Sequence, residues 1–161
     1  MIKIIAAIGN NNEIGANNKL LWYLKNDIKR FKELTLNNVV IMGRKTYQSL
    51  PIKPLPNRIN IVLTTKSINC KTCIILHDIK DAIKQAKSFN KDIYIIGGEI
   101  IYKQFMKYAD YLYITKIDAI FNNADSFFPH IDNNWKLISD LKHQKNKENK
   151  FNYRYQIYKK I

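Results

Sequence analysis

In Ile93-Tyr-Ile-Ile-Gly-Gly98 an apolar run ends at two glycines, and a helical pattern begins directly after them. Short apolar runs closed by glycine are typical of strands buried on both faces of a parallel sheet. The helical pattern extends from Glu99 to Ala109, and Tyr111-Leu-Tyr-Ile-Thr115 follows as the next strand. This order predicts parallel strands joined through a helix.

The same alternation extends through the rest of the chain. Further apolar runs predict strands over 2–8, 39–42, 59–63 and 73–76, and helical spacing predicts helices over 24–36, 44–50 and 79–89 with Asp78 as an N-cap. Towards the C-terminus, segments 135–141 and 151–158 flank a Lys/Asn-rich turn and predict an antiparallel hairpin. We therefore expect one α/β domain over 1–161, with a mainly parallel central sheet, helices on both faces and the antiparallel C-terminal hairpin at one edge.

The composition limits the class of protein. With 161 residues, 46% of them apolar and only five glycines and four prolines, the chain suits one ordinary domain and does not resemble a disordered protein. No apolar run approaches the roughly 18 residues of a spanning helix. The N-terminal stretch lacks a cleavage pattern for a signal peptide, so we expect a cytoplasmic protein with no membrane partner.

The formal net charge of +14 comes almost entirely from lysines spread along the chain. Arginine occurs at only four positions, whereas a specific nucleic-acid surface would usually group arginines and aromatic residues in one stripe. Abundant Lys, Asn, Ile and Tyr are typical of A/T-rich codons, so we attribute the charge to genome composition and expect no specific nucleic-acid partner. Non-specific RNA binding and attraction of an anionic ligand remain open alternatives.

The cysteines form one C-x-x-C, Cys70-Lys-Thr-Cys73. The three histidines do not have the spacing of a zinc finger, and the pair does not precede a helix as a redox motif would. We expect no metal site and no function for these cysteines.

Three features could carry chemistry. Asp27 falls on the apolar face of its predicted helix, where a carboxylate is costly unless it is paired or functional. Gly97-Gly98 and Gly43-Arg-Lys-Thr46 each follow a buried strand, and both could accept phosphate groups. The alternatives are a charge that suits the helix dipole for Asp27, a tight turn for the glycines and a solvated surface for the cations.

A set of motifs in order covers nearly the whole chain. It comprises Ile5-Ala-Ala7, Ile14-Gly15, Trp22-x-Leu-x-x-Asp27, Phe31-Lys-x-x-Thr35, Val40-Ile-Met-Gly-Arg-Lys-Thr46, Pro54-Leu-Pro-x-Arg58, Asn60-Ile-Val-Leu63, Ile96-Gly-Gly-x-x-Ile-Tyr102, Thr115-x-Ile-Asp118 and Asp125-x-x-Phe-Pro129. In this order, from Ile2 to Tyr158, the chain resembles dihydrofolate reductase of the bacterial chromosomal type. The resemblance implies NADPH-dependent reduction of 7,8-dihydrofolate to tetrahydrofolate, for one-carbon and thymidylate metabolism, by a monomer that also binds antifolate inhibitors.

The resemblance also implies the substrate site. Asp27 would be the catalytic carboxylate that hydrogen-bonds the 2-amino and N3 groups of the pterin. Thr115 would join that network through water, and Trp22 would hold an ordered water beside the pterin. Arg58 would pair with the glutamate tail of the substrate. The complete implied set is Ile5, Ala6, Asp27, Ile28, Phe31, Leu50, Leu55, Arg58, Ile96 and Thr115.

The cofactor site is implied in the same way. The glycine junctions would hold the pyrophosphate, Arg44, Thr65 and Lys66 would hold the 2′-phosphate, and Gly9 to Leu21 would form a lid over the nicotinamide. The complete implied set is Ala7, Ile14, Gly15, Gly43, Arg44, Lys45, Thr46, Leu63, Thr64, Thr65, Lys66, Ile96, Gly97, Gly98 and Tyr102.

The chain departs from the family pattern at two positions near these sites. Leu21 stands where the family usually has proline before the tryptophan, and Glu99 stands where a third glycine is common. The related riboflavin-pathway reductases are an alternative, against which Trp22, Asp27 and the Pro54–Arg58 motif argue. A basic RNA-binding module is a second alternative, but it leaves Asp27 unexplained.

Overall fold

A computed structural model describes residues 1–161, in which strands and helices alternate for most of the chain. The elements are β1 Ile2–Ile8, β2 Glu13–Gly15, α1 Lys25–Thr35, β3 Val39–Gly43, α2 Arg44–Ser49, β4 Ile59–Leu63, β5 Ile74–Leu76, α3 Ile79–Lys87, β6 Ile93–Gly97, α4 Glu99–Phe105, β7 Tyr111–Ile117, β8 Ser126–Phe127, β9 Trp135–His143 and β10 Tyr153–Lys160.

The main sheet has eight strands in the order β5-β4-β3-β6-β1-β7-β10-β9. The first six are parallel to their neighbours. Strand β10 runs antiparallel to β7 and to β9, and β9 forms the edge. The predicted architecture is therefore confirmed, including the C-terminal hairpin at one edge.

Apolar side chains cover both faces of the sheet because successive residues of a strand point to opposite sides. On one face, Ile4 and Ile95 lie in a cluster of 20 buried residues that includes Phe105 of α4. On the other face, Ile5 and Val40 lie in a second cluster, against which the side chain of Phe31 of α1 packs. Helices thus lie on both faces, as the sequence predicts.

Some local features differ from the expectations. The polar stretch after Gly9 contains β2, which pairs with β8 in a separate two-stranded sheet. Helix α4 ends at Phe105 rather than Ala109. Asp78 caps α3 as predicted, because its carboxylate accepts the backbone N–H groups of Lys80 and Asp81.

Cys70 and Cys73 are joined in a disulfide in the loop between β4 and β5. No three residues among His, Cys, Asp and Glu come together as a metal-binding group. None of the helices has the length and hydrophobicity required to cross a bilayer.

Candidate active site

The parallel strands all end on the same side of the sheet, which is called the carboxyl edge below. The candidate residues stand at these strand ends or directly after them. Strand β1 lies between β6 and β7, and the register pairs Ala7 of β1 with Thr115 of β7. Helix α1 brings Asp27 to the same position in its first turn. In open α/β sheets, this edge is where ligands bind.

Asp27 is hydrogen-bonded across this edge to β7. The Thr115 hydroxyl donates to Asp27 Oδ1 at 2.5 Å. Burial raises the pKa of the Asp27 carboxyl, while the Thr115 hydrogen bond and the charge of Arg30 act in the opposite direction. The site therefore holds a carboxyl group that titrates above its ordinary range, as a proton-handling group requires.

Trp22 lies just before α1, the helix that carries Asp27, and is 8% exposed. Its ring packs against Phe121 with centroids 5.0 Å apart. The indole Nε1 is buried and donates to no protein acceptor. A buried donor of this kind suits a hydrogen bond to water or ligand.

Arg58 belongs to a loop that the buried Asn60 fixes. Asn60 Oδ1 accepts the backbone N–H of Leu55 at 2.9 Å, and its amide donates to the carbonyls of Leu55 and Arg58 at 3.0 and 3.1 Å. The guanidinium lies 5.9 Å from the ring centroid of Phe31. Burial lowers the pKa of Arg58, and its Nε has no protein acceptor. A partly desolvated guanidinium without a carboxylate partner suits an anionic ligand.

The two glycine junctions lie side by side because β3 and β6 are neighbours. A Cβ on Gly98 would lie 3.3 Å from Thr46 Oγ1, so the backbone of one junction meets the side chain of the other. A Cβ on Gly97 would lie 3.2 Å from the Tyr102 hydroxyl. A side chain at either glycine would therefore crowd its neighbours, so the close approach of the two junctions favours glycine at both positions.

The lid segment, residues 9–21, is tied to the segment 119–128. Asp125 donates its N–H to the Gly15 carbonyl at 3.0 Å and accepts the N–H of Asn17 at 2.8 Å. The buried Glu13 accepts N–H groups from Asn11 and Phe121 at 2.8 and 2.9 Å. These bonds link the segment 9–21 to the segment 119–128.

Comparisons with known proteins identify the family to which a chain with these features belongs. The family model described as Dihydrofolate reductase matches residues 1–160. The chain belongs to the dihydrofolate reductase family. Among curated proteins named dihydrofolate reductase, that of Buchnera aphidicola subsp. Acyrthosiphon pisum (strain APS) is 44% identical over 158 residues, covering 97% of each chain.

Two further dihydrofolate reductases extend the comparison. That of Bacillus subtilis (strain 168) is 39% identical over 162 residues, covering 99% of this chain and 95% of its own length. The enzyme from Enterococcus faecalis, solved in complex with NADP(H) and RAB-propyl, superposes with a TM-score of 0.93. Its sequence is 31% identical, and the match covers 99% of this chain and 96% of that one.

Three groups of residues implied by the dihydrofolate reductase resemblance lie where strands end at this edge. The segment 43–46 begins at the last residue of β3, 63–66 begins at the last residue of β4, and 96–98 spans the end of β6. Leu55 is buried, whereas Ile28 is 47% exposed, as expected of a residue at the rim of a site. Tyr102 is buried, and its hydroxyl donates to the Ile5 carbonyl at 2.9 Å.

Thr115 is expected to join the hydrogen-bond network of the pterin through water. The structure adds a direct contact, because the Thr115 hydroxyl donates to the Asp27 carboxylate. The strand register brings Thr115 next to Ala7 at the centre of the sheet, and α1 lies close enough for direct contact.

The sequence analysis does not reveal the structural roles of three residues near the site. Asn60 orders the loop that carries Arg58, Glu13 orders the segment 9–21, and Arg30 reaches Thr115. A polar residue inside the apolar run 59–63 could have drawn attention to Asn60. Nothing in the local sequence distinguishes Glu13 or Arg30, since their partners are 108 and 85 positions away.

Proposed function

We propose that this chain reduces 7,8-dihydrofolate to tetrahydrofolate with NADPH, using Asp27 as the catalytic carboxylate. The observation that carries this proposal is the Asp27 carboxylate, buried at the carboxyl edge of the sheet and bonded to Thr115. The family supplies the reaction class. The direct test is the loss of the near-ultraviolet absorbance of NADPH when the purified protein is mixed with both substrates.

The chain's own groups account for the pterin end of the substrate. Asp27 would accept hydrogen bonds from the 2-amino and N3 groups and stabilise the positive charge that develops as N5 gains a proton from solvent. Thr115 would keep the carboxylate oriented, and Trp22 would donate its free indole N–H to a water beside the ring. The substrate-binding set given above would line the rest of this site.

The parts of the chain that would bind NADPH are the two glycine junctions and the cations beside them. The backbone of Gly97 and Gly98, which packs closely against Thr46, would hold the pyrophosphate, and Arg44 and Lys66 follow adjacent strands where a 2′-phosphate would bind. When bound, NADPH supplies the hydride for reduction. The lid residues 9–21, held by Asp125, would exclude water from the reacting groups.

Arg58→Ala should raise the KM for dihydrofolate by about tenfold or more, because it removes a bidentate partner for the glutamate carboxylate. The KM for a dihydropterin without the glutamate tail should change little. Steady-state kinetics with both substrates make this comparison, and Arg58→Lys should recover only part of the loss. Equal losses with both substrates would assign Arg58 to loop structure instead.

Arg44→Ala should weaken NADPH binding by about tenfold and leave NADH binding nearly unchanged, because only NADPH carries the 2′-phosphate. Fluorescence titration of the free protein with each cofactor measures both affinities. Lys84→Ala, which removes an exposed cation from α3, is the control for general charge. If the affinities for both cofactors fall alike, Arg44 contacts the pyrophosphate or has a structural role.

The remaining proposals concern assembly and location. A monomer is proposed from the resemblance to the family, and light scattering would test it. The reaction consumes NADPH, which supports a cytoplasmic location.

Two further proposals concern binding partners. Antifolate inhibitors would compete with dihydrofolate. The charge of +14 is proposed to reflect genome composition rather than a nucleic-acid partner.

A further inference from the structure

Arg30 lies one helical turn after Asp27 on α1, so the two side chains share a face of the helix. Its Nη1 lies 3.4 Å from Thr115 Oγ1, which in turn donates to Asp27 Oδ1 at 2.5 Å. The three side chains form a directed chain in which guanidinium donates to hydroxyl and hydroxyl donates to carboxylate. Donation from a cation strengthens the hydroxyl as a donor.

Aromatic rings hold the guanidinium in place. Arg30 Cζ lies 4.1 Å from the ring centroid of Tyr155 and 5.9 Å from that of Tyr113. Tyr155 pairs in register with Thr115 across β10 and β7, so ring and hydroxyl are fixed by the same strands. The rings carried by β7 and β10 therefore fix the position of the Arg30 guanidinium.

Arg30 has no carboxylate within ion-pair distance. Six ion pairs occur in the structure, and none includes Arg30. Lys3, the other cation near these tyrosines, is neutralised by Asp92 at 2.6 Å. A half-buried cation without a direct partner is costly, and the negative charge nearest to it in the site is that of Asp27.

We propose that Arg30 is a positioning residue that holds the Asp27 carboxylate ionised and keeps Thr115 bonded to it. The inference rests on the proposed function, because Asp27 has the catalytic role there. Arg30 itself need not touch the substrate, since it acts on the carboxylate through Thr115 and through its charge.

The other titratable groups around Arg30 and Asp27 do not supply a charge that would hold the Asp27 carboxylate ionised. Burial raises the pKa of Tyr94 on β6, Tyr102 on α4 and Tyr155 on β10, so these phenols stay neutral where Asp27 titrates. Tyr113 on β7 contributes a ring face to both cations. Arg30 is thus the charged group that acts most directly on Asp27.

The test is carbon-13 NMR of ligand-free protein labelled at the aspartate carboxyl carbons, titrated with acid. The signal missing from Asp27→Asn identifies Asp27. In Arg30→Met, which removes the charge but keeps the length of the stem, the Asp27 midpoint should rise by about one pH unit. Arg30→Lys should restore most of the difference. Arg30→Gln retains hydrogen-bond donors without charge, and its midpoint should also rise.

Lys29→Met is the matched control, because it removes the neighbouring charge from the exposed face of the same helix, where Lys29 is 75% exposed. Its Asp27 midpoint should equal that of the wild type. An unchanged midpoint in folded Arg30→Met or Arg30→Gln would overturn the inference, as would an equal shift in Lys29→Met. The titration needs no catalysis, so failure of the proposed function would appear separately, as full activity of Asp27→Asn.

Discussion

Replacing Asp27 by Asn should reduce turnover of dihydrofolate by about 100-fold or more at neutral pH while the protein stays folded and binds NADPH. The amide cannot stabilise the charge that develops on the pterin as N5 gains a proton. It also replaces a charge-assisted hydrogen bond to the substrate by a neutral one. Single-turnover kinetics measure the effect on the chemical step directly.

The control for Asp27→Asn is a measurement of thermal stability, because a misfolded variant would also be inactive. Burial raises the folded-state pKa of this carboxyl, so the folded protein binds the proton more tightly than the unfolded chain does. The wild type therefore loses stability as pH rises from the unfolded to the folded pKa, and Asn avoids this loss. The variant should have a higher Tm than the wild type at pH 7 and a similar Tm below the unfolded pKa. Turnover within threefold of the wild type would refute the catalytic role.

Much of the fold follows from local patterns. Apolar runs closed by glycine mark β3 and β6, and the spacing of Leu24, Phe31 and their neighbours marks α1. Asp27 was recognisable because a carboxylate on an apolar helix face needs a reason. These signals act over a few residues, so a single sequence carries them.

The remaining features depend on partners far away in the chain. Strands β2 and β8 have three and two residues, too few for any periodicity, and form because Asp125 and Glu13 tie the lid to the segment 119–128. The local sequence gives Arg30 no distinguishing mark among the cations of α1. Its guanidinium lies near Asp27 because Thr115 on β7 and Tyr155 on β10 hold it there.

Gly97→Ala should weaken NADPH binding by about tenfold or more and lower the free energy of unfolding by about 1–3 kcal/mol. Gly97 has a φ of +124°, a conformation that residues with a Cβ rarely adopt. The added methyl would lie 3.2 Å from the Tyr102 hydroxyl and 3.4 Å from Thr46 Oγ1. Both strain and crowding would shift the backbone that is proposed to hold the pyrophosphate. Urea unfolding and cofactor titration measure the two effects.

A double variant measures how much the Tyr102 hydroxyl contributes to this crowding. Tyr102→Phe removes the hydroxyl that the new methyl would meet, together with its hydrogen bond to the Ile5 carbonyl. If crowding against the hydroxyl dominates, Gly97→Ala should cost less stability in the Tyr102→Phe background than in the wild type, a coupling that a double-mutant cycle measures. An equal cost in both backgrounds would assign the loss to the backbone strain at φ +124° or to the atoms that remain, Tyr102 Cζ at 3.3 Å and Thr46 Oγ1 at 3.4 Å. Wild-type stability and NADPH affinity in Gly97→Ala would show that the junction tolerates a side chain, and the pyrophosphate would then have to bind elsewhere along this edge.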